Sequence, residues 1–86
     1  MKLKSTLALL PILLFINNVY AVSDDAHKCN NAYSDGDYKT AEAAAQAALK
    51  ANSADREALI CQGRVASDLG NLDSALLSFQ AADKLS

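Results

Sequence analysis

The chain has 86 residues, 51% of them hydrophobic and 21% charged, with a net charge of −2. That length holds one small domain, and ten acidic residues against eight basic ones leave no basic footprint for a nucleic acid or an anionic membrane surface. One histidine, two cysteines and no tryptophan make the side chains for a metal cage or a catalytic constellation scarce.

The first element is a targeting segment. Lys2 and Lys4 precede an apolar run from Leu7 to Ile16, and "NNVYA" closes it with Val19 and Ala21 at the two places where a signal peptidase accepts small residues. The pattern predicts a secretory signal over residues 1–21, cut after Ala21. A spanning anchor needs about 20 apolar residues, and this run is shorter and holds Pro11. No cysteine follows it directly, so the acylated variant finds no support. The expected product is residues 22–86, periplasmic or extracellular, with no membrane span after signal removal. Without Lys2 and Lys4, six basic residues face ten acidic ones, a charge of −4. A chain of this size buries only about 60% of its unfolded surface and is marginal alone.

Four helices are expected in the rest. "DDAHKCNNAYSD" predicts the first near 24–34, with Ala26, Cys29 and Tyr33 recurring at helical spacing. Gly36 permits the positive φ that ends it, and Asp37 is an N-cap for a second helix over 38–51, whose alanines mark close approach. "KANSAD" supplies turn and helix-starting residues in Asn52, Ser53 and Asp55. A third helix over 55–68 carries Leu59, Gly63 and Ala66 on one face. Gly70 and the cap Asn71 then lead into a fourth over 72–84. The fold class is all-α.

The second half repeats the first. At a shift of 34 residues Gly36 falls on Gly70, Asp37 on Asn71, Tyr38 on Leu72, Ala41 on Ala75 and Ala48 on Ala82. "YSDG" facing "ASDLG" makes the first turn read one residue shorter, which leaves Cys29 opposite Gln62 or Gly63. "GDYKTAEAAAQAALKANS", and "LICQGRVASDLGNLDSALLSFQAA" with Gly63, Gly70, Ala75, Phe79 and Ala82, resemble the tetratricopeptide repeat, a helix–turn–helix with small residues at fixed places. The resemblance covers residues 22–86 as repeats of about 22–54 and 55–86, and implies two antiparallel helical hairpins in a short right-handed solenoid. There are departures. Ala26 replaces a bulky residue, Ala45 an aromatic, and Ser53 the proline that commonly ends the unit.

The resemblance implies protein–protein interaction through a groove lined by the first helix of each repeat. Carried over, that groove comprises Asp24, His27, Asn31 and Ser34, then Glu57, Ile60, Arg64, Ser67 and Asp68. The lysine set that grips a terminal carboxylate in some members is missing, and Cys61 stands where an asparagine would help. The same family fold lays the helices of Cys29 and Cys61 side by side. In an oxidising compartment these form either a bridge or two separate buried thiols.

"DDAHKC" does not make a metal site, because His27 and Cys29 point to different helix faces and one histidine is too few ligands. No catalytic residue and no cofactor is expected. Leu76, Leu77, Phe79 and Leu85 exceed what one buried stripe needs. A second copy forming a homo-dimer through the last helix, a partner protein, or further repeats beyond this sequence would cover them. The expected role is an exported accessory or assembly factor. The rival expectation is the N-terminal part of a longer repeat protein with no independent function.

Overall fold

The computed structural model describes residues 22–86, and the predicted signal over 1–21 lies outside the described residues. Four α-helices fill the described chain: α1 (Asp24–Ser34), α2 (Tyr38–Ala51), α3 (Arg56–Asp68) and α4 (Leu72–Asp83), with no strand among the described residues.

The helix starts follow local hydrogen-bond chemistry. Ser23 caps α1 by accepting from the Ala26 amide at 3.1 Å, and Asp37 caps α2 by accepting from the Thr40 amide at 3.2 Å. Asp55 caps α3 through the Ala58 amide at 3.1 Å. Each oxygen satisfies one of the amides that a first helical turn leaves free. Asn71 holds the same place before α4, but its side chain makes no capping bond. The cap expected there is positional only.

The two helix–helix turns are the same structure. In the first, Gly36 at φ 76° lets its own amide donate to Tyr33 O at 3.0 Å and the Asp37 amide donate to Ala32 O at 2.9 Å. In the second, Gly70 at φ 81° donates to Ser67 O at 3.0 Å and Asn71 to Ala66 O at 2.8 Å. Both are the paired C-terminal bonds that a left-handed glycine makes possible, and corresponding residues stand 34 apart. The expected one-residue shortening of the first turn is therefore wrong. The deficit sits in helix length, with 11 residues in α1 against 13 in α3. Counted from the caps, Ser23 matches Asp55 and Cys29 matches Cys61, so the register changes from 32 to 34 along the helix.

Packing is stepwise. α1 lies against α2 and α3, α3 lies against α2 and α4, and among the described helices α4 touches α3 alone. Ala41, Ala44, Ala45 and Ala48 of α2 are all buried, as are Ala58, Leu59, Cys61, Gly63, Val65 and Ala66 of α3. Cys29, Ala32, Ala41, Ala44, Ala45, Cys61 and Val65 form one cluster, flanked by Tyr33 and Tyr38. Methyl-sized side chains bring backbones close but bury little each, about 0.8 kcal/mol per methylene. A covalent bond adds what the alanines lack. Cys29 and Cys61 are bridged, with their Cα atoms 6.3 Å apart, which decides between the bridge and the two buried thiols. The bridge belongs to the same cluster as Ala45, at the position where Phe79 stands one unit later.

In the second hairpin the aromatic is present and a glycine receives it. A Cβ at Gly63 would lie 2.5 Å from Cε1 of Phe79, so the ring occupies space that only glycine leaves open.

Candidate binding surfaces

α1 and α3 run side by side in the same direction. At their starts the Ser23 hydroxyl donates to Asp55 Oδ2 at 2.6 Å, while Asp55 Oδ1 caps α3, so the two caps are bonded to each other. The disulfide then pins the helices near their middles. Of the residues expected in a groove, Asp24, His27, Asn31 and Ser34 are exposed on α1. On α3, Arg64, Ser67 and Asp68 are exposed, and Glu57 and Ile60 are half-buried. The four residues of α1 lie on the face turned away from Cys29, whereas Glu57, Arg64 and Asp68 stand four, three and seven residues from Cys61, on its side of α3. The side chains around them are mixed in charge and polarity, with Ile60 the one apolar member.

Asp68 is not free. Tyr38, at the start of α2, donates its hydroxyl to Asp68 Oδ2 at 2.7 Å, joining the two hairpins. The bond holds the Tyr38 phenol above its usual 10.0, because ionising it would place two negative charges together. Tyr33 packs against Tyr38 with ring centroids 5.9 Å apart, and burial, helped by the same carboxylate, raises its phenol too. The sequence pattern placed Tyr38 on the packed face of α2 but gave no sign of where its hydroxyl would reach.

His27 and Cys29 diverge as their spacing requires. His27 is exposed, while Cys29 is buried and its sulfur is consumed by the bridge, which removes it as a thiolate ligand.

A second surface is apolar. Leu69, Leu72, Leu76, Leu77, Phe79 and Leu85 are 39–68% exposed, all on α4 or beside its ends. α4 buries only Ala75, Ser78 and Ala82, and Ser78 meets α3 through a hydroxyl donated to Gln62 Oε1 at 3.0 Å. The matching positions of α2 show the contrast. Ala45 is fully buried where Phe79 is 39% exposed, because α3 covers α2 and no described helix covers α4 in that way. Between α2 and α4, an open hollow floored by Gln62 and Ala66 has Leu77 among its lining. Sequence spacing anticipated the surplus of leucines on this helix; the Ser78–Gln62 bond beneath them was not anticipated.

Comparison with protein-family models, curated proteins and solved structures gives no match for the chain.

Proposed function

We propose that the chain is an exported, non-catalytic protein-interaction module, built as two tetratricopeptide-like repeats in a short right-handed solenoid and acting as an accessory or assembly factor. The observation that carries this reading is the pair of outer faces on α1 and α3, fixed side by side by Cys29–Cys61 and by the Ser23–Asp55 bond. A rigid face holds its recognition side chains without an ordering cost on binding, which is how a small polar surface gains affinity. Two features support the repeat. The glycine turns match bond for bond at a spacing of 34, and Ala41, Ala44 and Ala48 are buried as Ala75, Ser78 and Ala82 are. The bridge also favours an oxidising compartment, where such bonds persist, in keeping with a signal over 1–21.

The test is site-specific photo-crosslinking in the native host. A photo-reactive phenylalanine analogue at Asn31 or Ile60 is compared with one at Ala43 or Ala47, which are exposed on α2. The expected result is a discrete protein adduct from the α1 and α3 positions and none from α2. Equal labelling from both sets, or none from either, would remove the α1–α3 face as the binding site.

A further inference from the structure

We propose that the Cys29–Cys61 bond is a folding switch: the dithiol chain is unfolded, and oxidation of its two thiols by a disulfide oxidant folds it. The case rests on what the core holds apart from the cystine. Among the described residues the buried hydrophobic side chains are ten alanines, the two cysteines, Leu59 and Val65. Cys29, Cys61 and Val65 are the largest that are fully buried. The cystine thus stands where a larger core would place a leucine or an aromatic ring, and it adds a cross-link that such residues lack.

The bond also lies where little else holds. It joins α1 to α3, and so the first hairpin to the second. α1 buries only Ala26, Cys29 and Ala32. The side-chain hydrogen bonds between the hairpins, Ser23 to Asp55 and Tyr38 to Asp68, are both exposed, and such bonds add little against competing water. Closing a loop with a sequence separation of 32 shifts the folded-to-unfolded ratio by roughly several hundredfold. Below about 80 residues a single core rarely favours the folded state by much more than that. Loss of the bond therefore leaves the chain at or below the midpoint of its own folding equilibrium.

Setting the switch is a two-electron exchange. In the unfolded chain one cysteine thiolate attacks the oxidant's disulfide, forming a mixed disulfide and releasing half of the oxidant as a thiol. The second cysteine thiolate displaces the other half, so one S–S bond forms for the one broken. Two electrons pass to the oxidant, and the two cysteine protons end on its two released thiols. The fold hinders the reverse. Both cysteines are wholly covered, and a thiolate must reach a disulfide sulfur to open it. Reduction therefore waits on unfolding. For an exported chain, as proposed above, folding then follows export and does not precede it.

The test uses the exported protein in glutathione buffers of graded thiol-to-disulfide ratio at about 37 °C, approached from both the bridged and the reduced side. Cys29 and Cys61 are the only cysteines in the chain, so the buffer has one target. The expected result is a far-ultraviolet circular dichroism signal that falls by more than half in step with the bridged fraction, read by thiol labelling, and returns on reoxidation. A reduced chain that keeps half or more of its helical signal overturns the proposal. In a second measurement, dithiothreitol should open the bond at least about tenfold more slowly in the folded protein than in the urea-unfolded one. Equal rates would place the bond within reach of thiols in the folded state and overturn the one-way setting of the switch. Neither measurement bears on crosslinks from Asn31 or Ile60, which are read in the bridged protein.

Discussion

At the scale of single residues, the second hairpin turns on one glycine. Gly63 sits within α3, where alanine would be better for the helix by about 1 kcal/mol. That it is glycine follows from Phe79, whose ring lies 2.5–2.8 Å from where a Cβ would be. Gly63→Ala sets the propensity gain against overpacking of about 1–3 kcal/mol. Since Phe79 is only partly covered, the ring yields by swinging outward, and the net loss should be about 1 kcal/mol. The sign should invert once the ring is removed. In a Phe79→Ala background, Gly63→Ala should stabilise by up to about 1 kcal/mol, because only the helix preference remains. Urea unfolding of the four proteins in this cycle measures it, and a cost that persists without the ring would show that Phe79 is not what excludes a side chain at Gly63. The first hairpin has no such pair. Ala45 replaces the ring, and the cystine joins Ala45 in the core cluster.

At the scale of helices, the bridge between α1 and α3 compensates for an alanine core. It closes a loop with a sequence separation of 32, for which chain entropy predicts about 3.5–4 kcal/mol. Cys29→Ala/Cys61→Ala should therefore destabilise the described chain by about 3–4 kcal/mol, a large part of what a domain this small possesses. Thermal unfolding by circular dichroism, repeated with reductant on the parent, should give the same loss from both treatments. A loss below about 1 kcal/mol would mean that the alanine contacts carry the pairing of α1 with α3 on their own. Much of this level was legible in the sequence. Helix ends were written in Asp37, Asp55, Gly36 and Gly70, whose roles are local and depend on neighbours within a few residues. Which helix was short was not legible. A gap between repeats can be placed anywhere that keeps the pattern, and only the identical bonds of the two turns locate it in α1. Asn71 misled for a related reason. A cap residue can occupy its place without its side chain turning to the helix, and no sequence pattern reports that rotamer.

At the scale of the whole molecule, the two hairpins are held together by the disulfide, the Ser23–Asp55 bond and the bond from Tyr38 to Asp68. The last of these titrates. Tyr38 and Tyr33 have their phenol protons held more tightly in the folded chain than the ordinary 10.0, with the Asp68 carboxylate the first cause for Tyr38 and burial for Tyr33. A group raised in the folded state adds stability that is fully present below its unfolded value, and loses it as pH rises through the folded one. Folding should accordingly weaken above about pH 10, as both phenols are driven to ionise beside a carboxylate. The acid side has its own group. Asp37 is lowered from 3.8 by its bonds to Thr40, so its cap stabilises α2 above that value and is lost as pH falls through the lower folded one. The alkaline effect belongs to the contact between hairpins, and Asp68→Asn isolates it. The amide still accepts the phenol's bond but carries no charge. Ultraviolet titration of tyrosinate should then show the phenols ionising at lower pH than in the parent, and the alkaline loss of stability should shrink. Tyr38→Phe should flatten the same alkaline limb while leaving the acid limb, which depends on Asp37, unchanged. If Asp68→Asn leaves the tyrosine titration where it was, the carboxylate is not what holds the protons, and the polar link between the hairpins is the Ser23–Asp55 bond alone.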